Sequence, residues 1–186
     1  IYESRTEYDI DGKKNFDIKL GGAYAVDLKA YHGEKIEVAM FSNVYKNLLA
    51  DYKVKIDDIK NRIDIDLNRF NEASEADAKE SLVINIFIPV KYIGKIELSV
   101  NAGTLNITDI DNEHIEVNGK ISEVTLQGNK SEIEIDSNLD MQISVLSHEG
   151  ALEINQLSAT SRLTIPADYR FRSTKKGIAT HIYYER

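Results

Sequence analysis

Four glutamates, Glu97, Glu116, Glu134 and Glu153, recur at spacings of 19, 18 and 19 residues. Carboxylates repeated in this way could do two kinds of chemistry. They could hold a hard cation through oxygen ligands, or supply an acid/base pair for cleaving a glycosidic bond. Glycan cleavage needs a convergent pair, or carboxylates holding calcium beside a basic residue. Neither Arg nor Lys interleaves with these four at the same register. A solvated acidic face is therefore expected, with a cation-binding ladder along the same four residues as the metal-site alternative. No catalytic residue and no cofactor site is assigned.

The remaining reactive side chains form no constellation. His32, His114, His148 and His181 make no HExxH or HxH pair, and there is no cysteine to assist them. They read as exposed turn residues. Asp109, Asp111, Asn112 and Glu113 could offer oxygens to calcium, but lack the spacing and glycine of an EF-hand loop; a turn rich in Asp and Asn explains them. No GxSxG elbow marks a serine nucleophile. Asn106-Ile107-Thr108 and Asn129-Lys130-Ser131 fit the glycosylation pattern, which matters only in eukaryotic secretion.

What would position the glutamates is a repeat. Apolar-x-apolar pairs run Ile96/Leu98, Leu105/Ile107, Ile115/Val117, Val124/Leu126, Ile133/Ile135, Ile143/Val145, Leu152/Ile154 and Leu163/Ile165. Period-two alternation puts both members of a pair on one strand face. Turn formers separate the pairs, among them Ala102-Gly103, Asn118-Gly119, Gly128-Asn129 and Glu149-Gly150. Every second strand falls in step at about nineteen residues. Leu98, Val117, Ile135 and Ile154 then line one wall, and Leu105, Val124, Ile143 and Leu163 the other. Corner positions Ala102, Ile121, Leu139 and Leu157 keep the same step.

This pattern predicts an all-β, single-stranded β-solenoid of about 19 residues per coil, with two main strands in each coil. A meander of hairpins in a sandwich is the rival, but need not keep walls and corners in step. The outward residues differ between the walls. One carries the four glutamates, and the other Asn106, Thr125, Ser144 and Thr164. Stacked coils would set the glutamate backbones about 4.8 Å apart, where unit charges repel by about 0.9 kcal/mol in bulk water. A bound cation or a basic partner would relieve that.

Residues 1–90 form an irregular β region in this reading. Its strand pairs are Phe16/Ile18, Val26/Leu28, Ile36/Val38, Val54/Ile56 and Ile63/Ile65, followed by the longer run from Leu82 to Ile88. Early coils are expected to be wider or to carry insertions, with a short helical turn near 42–51 and a loop or helix over 69–80. Residues 91–170 hold the regular coils and 171–186 a final strand and tail, so that 1–186 is one domain. A separate sandwich ending near Pro89 is the alternative. Ile88-Pro89-Val90-Lys91-Tyr92 and Ile165-Pro166-Ala167-Asp168-Tyr169 echo each other, each expected to end a strand because proline cannot donate to a ladder.

The composition bounds the partners. With 186 residues, 42% hydrophobic and 29% charged, the chain can bury a real core. A net charge of -8 argues against nucleic acid and against anionic membrane surfaces. No run of eighteen apolar residues would insert directly into a membrane. The chain opens on Ile1 rather than Met, which reads as a trimmed segment whose leader and anchoring segment lie elsewhere.

The segments IELSVNAGTLNITDI and SEIEIDSNLDMQISVLSHEGALEI, after an IPxxY-like strand exit, resemble the bacterial putative-adhesin domains. That is a family of unknown function with L-E-I-x-x-x-x-G-x-L-x-I repeats, matched here by Ile96–Ile107. The similarity covers most of the chain and is strongest from Leu82 to Arg172. The usual Ser-Gly turn is replaced here at Gly119-Lys120 and Ser137-Asn138. The resemblance implies a right-handed β-helix in an exported, envelope or extracellular bacterial protein, and no catalytic motif. The expected role is a non-enzymatic, adhesin-like binding or scaffold surface for a protein or glycan at the cell surface. The alternative is a carbohydrate-active enzyme on a β-helix fold.

Overall fold

Alternating apolar and polar residues make most of the described residues strand residues. The structure, a computed structural model, describes residues 2–9, 14–42, 52–60, 62–69, 75–156, 159–168 and 181–185. The order is β1 (Tyr2–Asp9), β2 (Asn15–Tyr31), β3 (Lys35–Ser42), β4 (Tyr52–Ile59), β5 (Arg62–Arg69), α1 (Glu75–Ser81), β6 (Val83–Pro89), β7 (Ile96–Thr108), β8 (His114–Gln127), β9 (Glu132–Asp136), β10 (Gln142–Val145), β11 (Leu152–Asn155), β12 (Thr160–Thr164) and β13 (His181–Glu185). The fold is all-β, and the thirteen strands of the described residues form one large sheet that does not close on itself.

From β7 onward the pairing is parallel and in register. Ile96 faces Ile115, Ile115 faces Ile133, and Ile133 faces Leu152. The predicted rows are also neighbours: Leu98, Val117, Ile135 and Ile154 on one side, Leu105, Val124, Ile143 and Leu163 on the other. All but Ile154 are buried, so each inward row is a continuous apolar ridge. At about 25 cal/mol per Å² of apolar surface, such rows dominate the stabilisation.

The expectation of two separate strands in each coil needs correction. Strands β7 and β8 run unbroken through both walls, 13 and 14 residues long. The reason lies at the corner, where Asn101 and Ala102 still pair with Lys120 and Ile121. Gly119 sits at φ +141 there, and a Cβ would collide with the Val100 carbonyl oxygen. Glycine lets the backbone turn without leaving the ladder. The next corner, Ser137 to Met141, has no glycine, and the ladder breaks into β9 and β10. Leu139, predicted to fill that corner, is instead exposed, and Leu157 lies outside the described residues.

In the N-terminal region further strands lie between paired partners. Strand β2 spans 17 residues and is the partner of β7: Phe16 faces Ile96, and Val26 faces Leu105. Between them the chain makes two additions. The antiparallel hairpin β4–β5 extends one half of β2 through β5, and β6, with β3 and β1 beyond it, extends the other. Phe16/Ile18 and Val26/Leu28 thus belong to one strand. Helix α1 realises part of the loop or helix expected over 69–80 and seals this region with buried Ala78. The turn expected near 42–51 falls mostly outside the described residues. Pro89 ends β6, and Pro166 follows the end of β12. Tyr92 packs on Phe16 with ring centroids 4.4 Å apart and donates its hydroxyl to the Lys14 and Lys95 carbonyls.

Candidate functional site

The four predicted glutamates are direct lateral neighbours: Glu97 faces Glu116, Glu116 faces Glu134, and Glu134 faces Glu153. The row is longer than the regular repeat revealed. Asp57 faces Asp64, Asp64 faces Asp17, and Asp17 faces Glu97. One carboxylate from each of seven adjacent strands, β4, β5, β2, β7, β8, β9 and β11, therefore lies in a single line. Two of the three aspartates could have been found in Phe16-Asp17-Ile18 and Ile63-Asp64-Ile65, where an acid also sits between two inward apolar residues; Asp57, in Ile56-Asp57-Asp58, carries no such signal.

The row is not uniform. At its Asp57 end, cations answer the charge: Lys55 lies 3.6 Å from Asp57, and Arg62 binds Asp64 through Nε at 2.6 Å and Nη2 at 3.2 Å. Arg62 and Lys19 also act on Glu97 from outside the row, standing opposite Asn15 and Ser99 rather than in register with the carboxylates. The other end is different. Oxygens of Glu116, Glu134 and Asp136 all lie within 4.8 Å of one another, the one such carboxylate trio among the described residues. Asn155 Nδ2 donates to Glu134 at 3.2 Å and to Asp136 at 2.7 Å, a neutral tie.

The electrostatics follow this gradient. Burial raises the carboxyl pKa of Glu97, and neighbouring Asp17 and Glu116 add to the rise while Lys19 and Arg62 oppose it. Burial also raises that of Glu134, and there Asp136, Glu116 and Glu153 all push the same way. Both cases follow from removing solvent and adding like charge, each of which disfavours the ionised form.

The neutral wall is equally regular. Asn106, Thr125, Ser144 and Thr164 are successive partners, and Asn106 Nδ2 donates to Asp27 Oδ1 at 2.6 Å.

The turn residues are more buried than their types suggest. Asn112 is buried, and its amide is committed to the Gly94 carbonyl at 2.8 Å and the His114 carbonyl at 3.1 Å. Its side-chain oxygen accepts from Ser131 Oγ at 2.5 Å. Asn129, in the second glycosylation pattern, is fully buried; it donates to the Ile107 carbonyl and accepts from the Ile110 amide, at 2.8 and 2.9 Å. Of the histidines, His32 is exposed, but His148 is buried beside Asn129 and His114 lies part-buried in β8, 3.5 Å from Glu132. The His181 side chain lies outside the described residues. These turn residues satisfy backbone groups that stacking removes from water, as buried amides require.

No family model matches the sequence, and no curated protein matches it. Among solved structures, the chain is similar to a putative cell adhesion protein from Clostridium sporogenes, at TM-score 0.57 and 11% identity over 99% of this chain and 95% of that one. A putative adhesin from Parabacteroides merdae aligns over 99% of this chain and 96% of that one at 12% identity, with TM-score 0.30. The first likeness extends over the whole all-β architecture. At this identity it concerns the fold.

Proposed function

We propose that this chain is a non-enzymatic, adhesin-like module of the bacterial cell envelope or exterior, built as a β-solenoid of about 19 residues per coil. The solenoid reading extends over 1–186, with regular coils in 91–170. Its support is the in-register parallel stacking of β7 to β12, with partners 18 to 20 residues apart. The contact surface is the acidic wall. The observation that carries this is the seven-strand carboxylate row, whose Glu116–Glu153 end concentrates like charge around Asp136. A rigid sheet presenting one row of one sign suits a basic protein surface, which would relieve the crowding of like charge. The fold likeness to a protein described as a putative cell adhesion protein agrees with that role.

The test is binding to an immobilised lysine-rich peptide. A variant with Glu97, Glu116, Glu134 and Glu153 all changed to Gln is compared with an isocharge control changed at Glu3, Glu7, Glu34 and Glu149. The ladder variant should lose most binding while the control keeps it, and equal losses would overturn the acidic wall as contact surface. Antibody labelling of intact cells should reach the domain. Labelling only after lysis would contradict the location, and reducing ends released from polysaccharides would contradict the absence of enzyme activity.

A further inference from the structure

A second surface lies on the opposite wall, at the last strands. On β8, β10, β12 and β13, the successive partners Glu123, Gln142, Arg162 and Tyr183 form a lateral row. All four are exposed, Tyr183 at 53%. The same line continues on the preceding strands as Thr104 and Ala25, so the long polar side chains are confined to one end of the wall.

An open depression of ≈ 340 Å³ adjoins this row, lined by Glu123, Gln142 and Arg162 together with Asp140, Thr160 and the edge of Met141. That is the lower end of the range for small-molecule sites. Two of its groups are held in place. Asp140 Oδ1 accepts from the Thr160 amide at 2.7 Å, which fixes the start of β10 against β12. The Arg162 guanidinium lies 5.6 Å from the Tyr183 ring centroid and donates to Glu185 at 3.1 Å.

We infer that this depression and row form a binding site for a neutral oligosaccharide. The site goes beyond the acidic wall and does not depend on it. The chemistry is that of three planar polar groups in line: a carboxylate that accepts, a carboxamide that does both, and a guanidinium that donates. Such groups can bridge the adjacent hydroxyls of a pyranose ring, each of which both donates and accepts. Neighbouring strands stand about 4.8 Å apart, close to the length of one sugar unit, so consecutive residues of the row can serve consecutive sugars. Tyr183 closes the row with an aromatic body suited to the apolar face of a sugar.

The same residues disfavour other ligands. An anion would meet two carboxylates, Glu123 and Asp140, against the single cation of the lining, Arg162. An apolar ligand would strand the polar lining without partners. An added peptide strand needs a free edge, whereas Glu123, Gln142 and Arg162 stand on strands paired on both sides.

The test is nuclear magnetic resonance titration of the ¹⁵N-labelled protein with separate neutral hexasaccharides of glucose, xylose, mannose and N-acetylglucosamine. At least one should shift amides confined to the neighbourhood of Glu123, Asp140, Gln142 and Arg162. Gln142→Ala and Arg162→Ala, both at exposed positions, should each weaken that binding at least tenfold with the rest of the spectrum unchanged. Glu116→Gln on the acidic wall should leave it within twofold, which separates this inference from the acidic-wall reading. No shifts with any of the four sugars would overturn it. So would shifts elsewhere, equal affinity of Gln142→Ala, or tighter binding of a sulfated hexasaccharide.

Discussion

Replacing Glu116 with glutamine should make the protein more stable, an unusual outcome for a residue placed within a sheet. Its carboxylate approaches those of Glu134 and Asp136 to within 4.8 Å, and Glu97 is its partner on the neighbouring strand. At that distance each like-charge pair costs about 0.9 kcal/mol in bulk water. A Debye length of about 10 Å at 0.1 M salt lowers each to about 0.5 kcal/mol. Removing the Glu116 charge relieves three such pairs, of which part persists in the unfolded chain, leaving about 1 kcal/mol of stabilisation. Glutamine keeps the length and planarity of the side chain, so packing and strand preference change little. For a chain of 186 residues this corresponds to a Tm rise of about 2–4 °C. The assay is thermal unfolding by circular dichroism at pH 7 in 0.02, 0.1 and 1 M sodium chloride. The gain should be largest at low salt and fall to about 0.2–0.3 kcal/mol at 1 M, where the Debye length is about 3 Å. A lowered Tm at low salt, or a gain independent of salt, would refute the view that these carboxylates repel one another across stacked strands.

Other consequences can be checked on the same protein. Because the folded-state carboxyl pKa values of Glu97 and Glu134 are raised, the folded chain binds protons there more readily than the unfolded chain. Their contribution is complete below the unfolded pKa and lost as pH rises through the folded values, so Tm should climb on acidification from pH 7 toward 5. Glu97→Gln combined with Glu134→Gln should flatten that climb, and calorimetry across the range reads it. Glu34 and Asp58 run the other way: Lys91 and Lys14 hold their pKa values down, so what they contribute is lost only at lower pH, through those depressed values. Gly119→Ala should cost at least about 2 kcal/mol, from left-handed backbone and the Val100 oxygen together; an unchanged urea midpoint would contradict the corner. Asn129→Ala should cost about 2–4 kcal/mol by stranding two buried backbone groups. The Ile110 amide should then lose its protection from hydrogen exchange, and retained protection would mean another group satisfies it.

The regular half of the fold was legible because two periods agree there. Alternation marks the inward residues, and a step of about nineteen says which of them meet, as Leu98 with Val117 and Leu105 with Val124. The N-terminal half was not legible, because its decisive contact is Phe16 with Ile96, and no local pattern reports a pairing across two inserted strand pairs. The same gap hid three of the seven carboxylates of the row, since Asp17, Asp64 and Asp57 join it only through β2, β5 and β4. The turns misled for another reason. Asn112, Asn129 and Ser131 have the residue types of exposed loops, yet stacking buries them and assigns their side chains to backbone groups. Glu123, Gln142 and Arg162 kept a spacing of 19 and 20 residues in plain view. Their differing chemical types concealed it, where four identical glutamates did not.

Equivalent residues of successive strands stand one strand apart along a single line. The chain has no cysteine, so spin labels can be placed in pairs without removing any native thiol. Electron-spin distance measurements on Glu97→Cys combined in turn with Glu116→Cys, Glu134→Cys and Glu153→Cys should give three separations that grow in equal steps of about 4.8 Å. The length of the label arms is common to all three and drops out of the steps. Steps that are unequal, or a third pair no farther apart than the first, would contradict the stacked, in-register row on which the acidic wall depends.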